Sequence, residues 1–300
     1  MKNFIDITQF SRTELHTLLA SAQRFSKTTT SALLSNKLIA NLFFEPSTRT
    51  RCSFAIAAKK LGAHVIELYT ENSSTQKGET DIDTVLNLQA MGVEAFVIRH
   101  QQNNMAAKIA AALGKNSAVI NAGCGIQQHP SQALLDMLTI QQHKATFDHL
   151  CVAIIGDMRH SRVAHSDIAA LQLLNTKEIR LIGPDALLPE NIAPKNNIKT
   201  PTTIEEGLQG ADVIIVLRLQ HERVAKDKPH DVKNFQQQYQ LTMARLKLAK
   251  ESVIVMHPGP MHRGVEISEE AINSKHAVIL QQTSNGVAAR MAILAYAFAI

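Results

Sequence analysis

The chain has 300 residues, 45% hydrophobic and 19% charged, which excludes an intrinsically disordered protein and is long enough for two domains. Its net charge of +5 admits nucleic acid or small anions as partners, but the basic residues are scattered, aromatics make up 4% and tryptophan is absent. A surface that stacks bases is therefore disfavoured, and a basic pocket for anionic metabolites is the better reading.

Three cysteines (Cys52, Cys124 and Cys151) include no CxxC pair, which argues against a disulfide framework or a zinc site. A reducing, cytoplasmic setting is expected, with no metal. The first 14 residues lack the apolar stretch of a secretion signal. The apolar segment 291–300 is shorter than the about 20 residues a bilayer requires, so no membrane partner is expected.

In chain order, Ser11 to Glu14 reads as a capping box opening a helix to about Lys27, with Leu15, Leu18 and Leu19 as its apolar stripe. Apolar runs suited to buried strands follow at 38–44, 64–68, 95–98, 118–120, 152–155, 179–182, 213–217, 253–256 and 277–280. Helical periodicity lies between them at 53–61, 83–91, 105–113 and 132–141. A last helix over 285–300 is apolar nearly all round apart from Arg290.

The alternation predicts an α/β protein of two similar-sized doubly wound parallel-sheet domains, each with four or five strands. The expected division is 1–132 and 133–284, with 285–300 packing back on the first domain and the active site in the cleft between the two. Ligands of such sheets sit beyond the carboxyl ends of the strands, so the polar residues there are the candidates.

Pro46-Ser47-Thr48-Arg49-Thr50-Arg51 follows the first strand and enters a helix. Helix-start N–H groups, three hydroxyls and a planar guanidinium suit a phosphate. Arg99 ends a strand and reads either as a solvated residue or as a ligand grip. His129-Pro130-Ser131-Gln132 ends another, with Pro130 near the first helical position and His129 and Gln132 as neutral hydrogen-bonding groups. His129 alone reads equally as structural.

Gly156-Asp157 and Arg159-His160-Ser161-Arg162 follow the first strand of the second half. This is not a GxGxxG fingerprint, which disfavours nicotinamide or flavin, and no cofactor is expected. Arg218-Leu219-Gln220 ends a later strand, and Met256-His257-Pro258-Gly259-Pro260 makes a tight turn that could carry a cis bond. The polar loop 71–80, with Lys77-Gly78-Glu79, is by itself only a surface loop.

Taken together these segments resemble the transcarbamoylases over essentially the whole chain. Phe43 to Arg51 looks like the family's carbamoyl-phosphate signature, and His129-Pro130-Ser131-Gln132 like its second signature. Lys77 to Thr80, the Arg-x-Gln-x-x-Arg strand end from Arg218 to Arg223, and Met256 to Pro260 are of the aspartate type. Two cationic grips, Arg162 and Arg218, also suit aspartate, whereas ornithine needs a carboxylate partner. Ser131 stands where Thr is commoner, His262 where Asn is more usual, and His165 and Asp167 where Arg and Asn are often seen.

The resemblance implies transfer of the carbamoyl group of carbamoyl phosphate to the α-amine of L-aspartate, by direct attack without a covalent intermediate. Implied roles are Ser47, Thr48, Arg49 and Thr50 on the phosphate, and Arg99, His129 and Thr50 on the carbonyl oxygen. Gln132 and the carbonyls of Gly259 and Pro260 orient the carbamoyl NH₂, and Lys77, Arg162, Arg218 and Gln220 hold aspartate. It further implies a homotrimer with shared active sites, with Lys77 reaching a neighbouring subunit. No residue decides whether a regulatory chain or a dihydroorotase partner attaches. Glu45 could pair with Arg162 or Arg223 on domain closure, or locally with Arg49 or Arg51. The alternatives are a transcarbamoylase for another amine, or a catalytically silent scaffold of a pyrimidine-pathway assembly.

Overall fold

The capping box at Ser11 forms as expected: Ser11 Oγ accepts from Glu14 N–H at 3.2 Å, and Glu14 Oε2 accepts from Ser11 N–H at 2.8 Å. The helix that it opens, α1, runs Arg12–Phe25 and buries Leu15, Leu18 and Leu19. The computed structural model describes residues 1–69, 79–189, 197–220 and 232–300. They form two compact units, Met1–Leu138 with Thr283–Ile300, and Thr139–Gln282.

The first unit is built on four parallel strands: β1 (Leu38–Phe43), β2 (His64–Tyr69), β3 (Ala95–His100) and β4 (Ala118–Cys124), in the order β2-β1-β3-β4. All six residues of β3 and all seven of β4 are buried. That is the mark of parallel strands covered on both faces. The helices α2 (Thr48–Lys60), α3 (Asp81–Ala90) and α4 (Met105–Leu113) follow β1, β2 and β3. Phe96, Ile98, Ile109 and Val119 share one apolar core with Val85. Each fully buried side chain of this size contributes about 1.5–3 kcal/mol. α5 runs Pro130–Lys144 and α11 runs Ile279–Ala297, and the unit boundaries fall within these two helices.

The second unit holds β5 (Cys151–Ile155), β6 (Glu178–Ile182), β7 (Ile198–Lys199), β8 (Val213–Val216) and β9 (Ile254–Met256), all parallel, in the order β7-β6-β5-β8-β9. Its helices are α6 (Arg162–Leu173), α7 (Ile204–Leu208), α8 (Val232–Tyr239), α9 (Met243–Leu246) and α10 (Glu269–Ile272). Ala153, Ile155, Ile214, Val216 and Val255 form the centre of its core.

One expected strand is corrected. The run 277–280 makes only a single bridge, Ala277 to Val255, before the chain turns into α11 at Ile279. The run is apolar enough for either state, and a short apolar run carries no period to choose between them. Strands β3 and β4 also continue past the apolar residues, through Arg99 and His100 and through Asn121 to Cys124. Tertiary pairing carries these polar residues into the sheet.

Candidate active site

In each sheet the order in which strands are added reverses once, between β1 and β3 in the first and between β5 and β8 in the second. Such switch points open a crevice beyond the strand ends, where α/β proteins bind ligands. Ser47 to Thr50 and Arg99 lie at the strand ends of the first switch point, and Arg162, Arg218 and Gln220 follow the strands of the second, whereas His129 and Gln132 follow β4 and Gly259 and Pro260 follow β9.

At the first switch point, β1 runs through Phe44, Glu45 and Pro46 to Ser47, the N-cap of α2. Ser11, Thr80, Ser161 and Thr203 each accept a hydrogen bond from the third residue of the helix that they open, whereas Ser47 makes no side-chain cap bond. The first N–H groups of α2 thus keep the positive end of the helix open to an anion. Thr48 and Arg49 are exposed, Ser47 half-buried and Thr50 buried. Ser53 Oγ turns back to donate to the Arg49 and Thr50 carbonyls, at 2.6 and 3.0 Å.

Arg99 faces Phe43 across the β1–β3 pairing and is itself buried. Its Nε makes an ion pair with Glu45 Oε1 at 2.8 Å, and its Nη1 donates to the Ala122 carbonyl at 3.2 Å. That carbonyl is available because β4 bulges: Ile98 pairs with Asn121 but His100 with Cys124, which leaves one extra residue on β4. Gly123, with φ +117°, takes up the bend. Glu45 thus has a partner within its own unit that sequence reasoning did not name.

His100, next to Arg99, accepts from Gln102 N–H through Nδ1 at 2.8 Å and lies 3.0 Å from Asp81 through Nε2. Its ring packs 5.1 Å from that of Phe44.

His129 is buried immediately before α5, with its Nδ1 3.4 Å from Ser131 Oγ. Pro130 is the first residue of that helix, a position that suits its fixed φ. Gln132 is buried two residues further on, in the first turn, and its Nε2 donates to Asp136.

At the second switch point Gly156 follows β5 with φ +128°, and a Cβ there would stand 2.3 Å from the Leu217 carbonyl oxygen. Only glycine lets the two strand ends approach this closely. Asp157, fully buried, accepts from His160 N–H at 3.1 Å and from Gln220 N–H at 3.2 Å. It thereby ties the segment after β5 to the segment after β8. The sequence signal for it was its place directly after a strand-end glycine.

Arg162 is buried at the first position of α6, behind the N-cap Ser161. A cation there opposes the helix macrodipole. Arg218 is half-buried, with Nη1 3.3 Å from the Leu219 carbonyl. Gln220 is buried, and its Oε1 has no hydrogen-bond partner among the described residues. Lys77 and Arg223 lie outside the described residues.

After β9, His257 Nδ1 accepts from Gly259 N–H at 2.9 Å, and its Nε2 lies 3.1 Å from Glu266 Oε1. With Nδ1 accepting, the proton belongs on Nε2, facing the carboxylate. Glu266 Oε1 also accepts from His262 N–H at 2.6 Å, so the turn with the cis Gly259–Pro260 bond is anchored at both ends. Among the described residues no group of three or more His, Cys, Asp or Glu could hold a metal ion, and no helix is long and apolar enough to cross a membrane.

Comparison with known proteins matches residues 2–142 to a family model described as aspartate/ornithine carbamoyltransferase, carbamoyl-P binding domain. Residues 148–297 match the Asp/Orn binding domain of the same family. The aspartate carbamoyltransferase catalytic subunit of Ruthia magnifica subsp. Calyptogena magnifica is 50% identical over 265 residues, 88% of this chain and 82% of that protein. Aspartate transcarbamoylase from Trypanosoma cruzi, solved with carbamoyl phosphate and aspartate, is similar at a TM-score of 0.88 and 32% identity, covering 98% of this chain and 95% of that one. The same enzyme solved with N-(phosphonacetyl)-L-aspartic acid gives a TM-score of 0.87 at 32% identity, covering 98% and 94%.

Proposed function

The chain belongs to the aspartate/ornithine carbamoyltransferase family, and we propose that it transfers the carbamoyl group of carbamoyl phosphate to L-aspartate, giving N-carbamoyl-L-aspartate and phosphate. The observation that carries this reading is the first switch point. There an uncapped helix start and the Glu45–Arg99 pair bring an anion site and a buried cation to neighbouring strand ends.

In this reading Ser47, Thr48, Arg49 and Thr50 hold the phosphate with backbone and side-chain donors. Arg99, His129 and Thr50 donate to the carbonyl oxygen, where negative charge grows as the tetrahedral centre forms. Gln132 and the carbonyls of Gly259 and Pro260 orient the carbamoyl NH₂. Arg162, Arg218 and Gln220 take the aspartate carboxylates, with Lys77 as a further cation. The neutral α-amine attacks the carbonyl carbon, the bond to the phosphate oxygen breaks, and the departing phosphate takes the amine proton. No covalent intermediate is needed once the two substrates are aligned.

The cationic character of Arg162 and Arg218 supports aspartate over ornithine, whose side-chain ammonium they would repel. Incubating the protein with carbamoyl phosphate and either amine tests this: carbamoyl-aspartate should form and citrulline should not. Citrulline as the main product overturns the assignment.

The reading extends to the committed step of pyrimidine (UMP) biosynthesis, to a homotrimer with shared active sites and to a cytoplasmic setting. Exposed Ile56 and Met91, apolar area that a subunit contact would cover, support the trimer, and three free cysteines support a reducing compartment.

A further inference from the structure

Asp136 follows Gln132 by four residues on α5, so the two side chains share one face of the helix. Gln132 Nε2 donates to both carboxylate oxygens of Asp136, at 3.1 and 3.2 Å. Gln132 is 8% exposed and Asp136 0%, so water does not compete for this contact.

A carboxylate offers only acceptors, so it selects the NH₂ branch of the amide. The C=O branch of the planar carboxamide is then turned the other way. The two flips of a carboxamide are nearly identical in shape, and only its hydrogen-bond partners distinguish them.

Arg290 of α11 supplies the buried countercharge. Burial pulls its guanidinium down to about 10, and the charge of Asp136 acts in the opposite direction. Its Nη1 donates to the Gly286 carbonyl at 2.9 Å, and its guanidinium lies 5.0 Å over the ring of Phe54 in α2, the helix that follows the phosphate loop. Such a cation is worth most where water is excluded.

We propose that Asp136 is a positioning residue for carbamoyl transfer: by gripping the Gln132 NH₂ it presents the Gln132 carbonyl oxygen to the carbamoyl NH₂ of the substrate, with Arg290 as its buried countercharge. The inference rests on the reading of Gln132 as the ligand of that NH₂. An asparagine at 136 both donates and accepts, so Gln132 would populate both flips, and one of them sets NH₂ against NH₂.

The test is a double-mutant cycle of Asp136→Asn and Gln132→Ala, followed by steady-state kinetics. Asp136→Asn should raise KM for carbamoyl phosphate about tenfold, the scale of one misdirected hydrogen bond, and leave KM for aspartate within about twofold. In the Gln132→Ala background the same change should add less than about twofold, because its effect passes through Gln132. Equal effects in both backgrounds would mark Asp136 as merely structural and overturn the inference.

Asp136→Glu keeps an anion beside Arg290 while moving it by one methylene, and it carries the same cycle if the asparagine variant does not fold. A wild-type protein without transfer activity overturns the functional reading and this inference with it. An active wild type in which Gln132→Ala leaves KM for carbamoyl phosphate unchanged overturns this inference alone.

Discussion

Glu45 and Arg99 meet across the junction of β1 and β3 as an ion pair, with Oε1 2.8 Å from Nε, while Arg99 Nη1 donates to the Ala122 carbonyl at 3.2 Å. An ion pair at one strand end and a hydrogen bond at another hold the guanidinium in place. A guanidinium held in advance donates to a developing oxyanion without reorganising as the charge appears. Arg99→Ala should therefore lower kcat by about 10²-fold or more, the usual scale for one such donor. Glu45→Gln keeps an acceptor but removes the charge, so its effect should be the smaller of the two. Steady-state kinetics on both variants checks the order. A loss in Glu45→Gln as large as that in Arg99→Ala would mean that Glu45 does more than orient its partner.

Gly156 sets the spacing at the other switch point. A methyl group there meets the Leu217 carbonyl oxygen at 2.3 Å, and φ +128° is strained for any side chain. Gly156→Ala should cost about 1–3 kcal/mol from the backbone alone, lowering Tm by several degrees. Because Leu217 leads directly into Arg218, KM for aspartate should rise more than KM for carbamoyl phosphate. Calorimetry and two-substrate kinetics on one preparation read both effects.

Burial pushes the Cys151 thiol up to about 11, with Arg180 pulling it back in part. The thiolate is the reactive form, so at pH 8 this cysteine should resist iodoacetamide in the folded protein, while exposed Cys52 is labelled. Peptide mass spectrometry with and without denaturant checks this. The folded state holds the Cys151 proton more tightly than the unfolded chain does. Its contribution to stability is therefore complete below about pH 9 and falls as pH rises towards 11.

Sharing of sites between subunits has a direct test. Mixing Lys77→Ala protein with Arg49→Ala protein and allowing subunits to exchange should restore part of the activity, because some sites would then draw both intact residues from different chains. Verified exchange without recovery counts against sharing.

Much of the first sheet was legible in the chain, because a strand buried on both faces must be apolar at nearly every position, as β3 is up to Ile98. Helix starts were legible for a similar reason: the Ser11–Glu14 box is a local hydrogen-bond pattern four residues long. Strand ends were not. Arg99, His100 and Asn121 carry no strand signal of their own and pair because the neighbouring strand continues. The bulge in β4 and the Glu45–Arg99 contact depend on strand order, which local pattern does not encode. Asp136 was within reach, four residues after Gln132 on one helix face, but its buried cation comes from residue 290, which only the fold brings near.

The aspartate half makes the sharpest demand on specificity. Arg162 sits buried at the N-terminus of α6, and Arg218 is half-buried after β8. A charged hydrogen bond to a carboxylate contributes about 1.5–3 kcal/mol, so removing one corresponds to roughly 10- to 150-fold in affinity. Arg162→Ala and Arg218→Ala should each raise KM for aspartate on that scale and leave KM for carbamoyl phosphate within about threefold. Gln220→Ala removes a neutral partner and should cost less, about tenfold at most. The pattern separates two kinds of failure. If the arginine variants raise both KM values together, the residues support the fold rather than the substrate. If they change neither, aspartate is held elsewhere, and Lys77 becomes the next residue to replace.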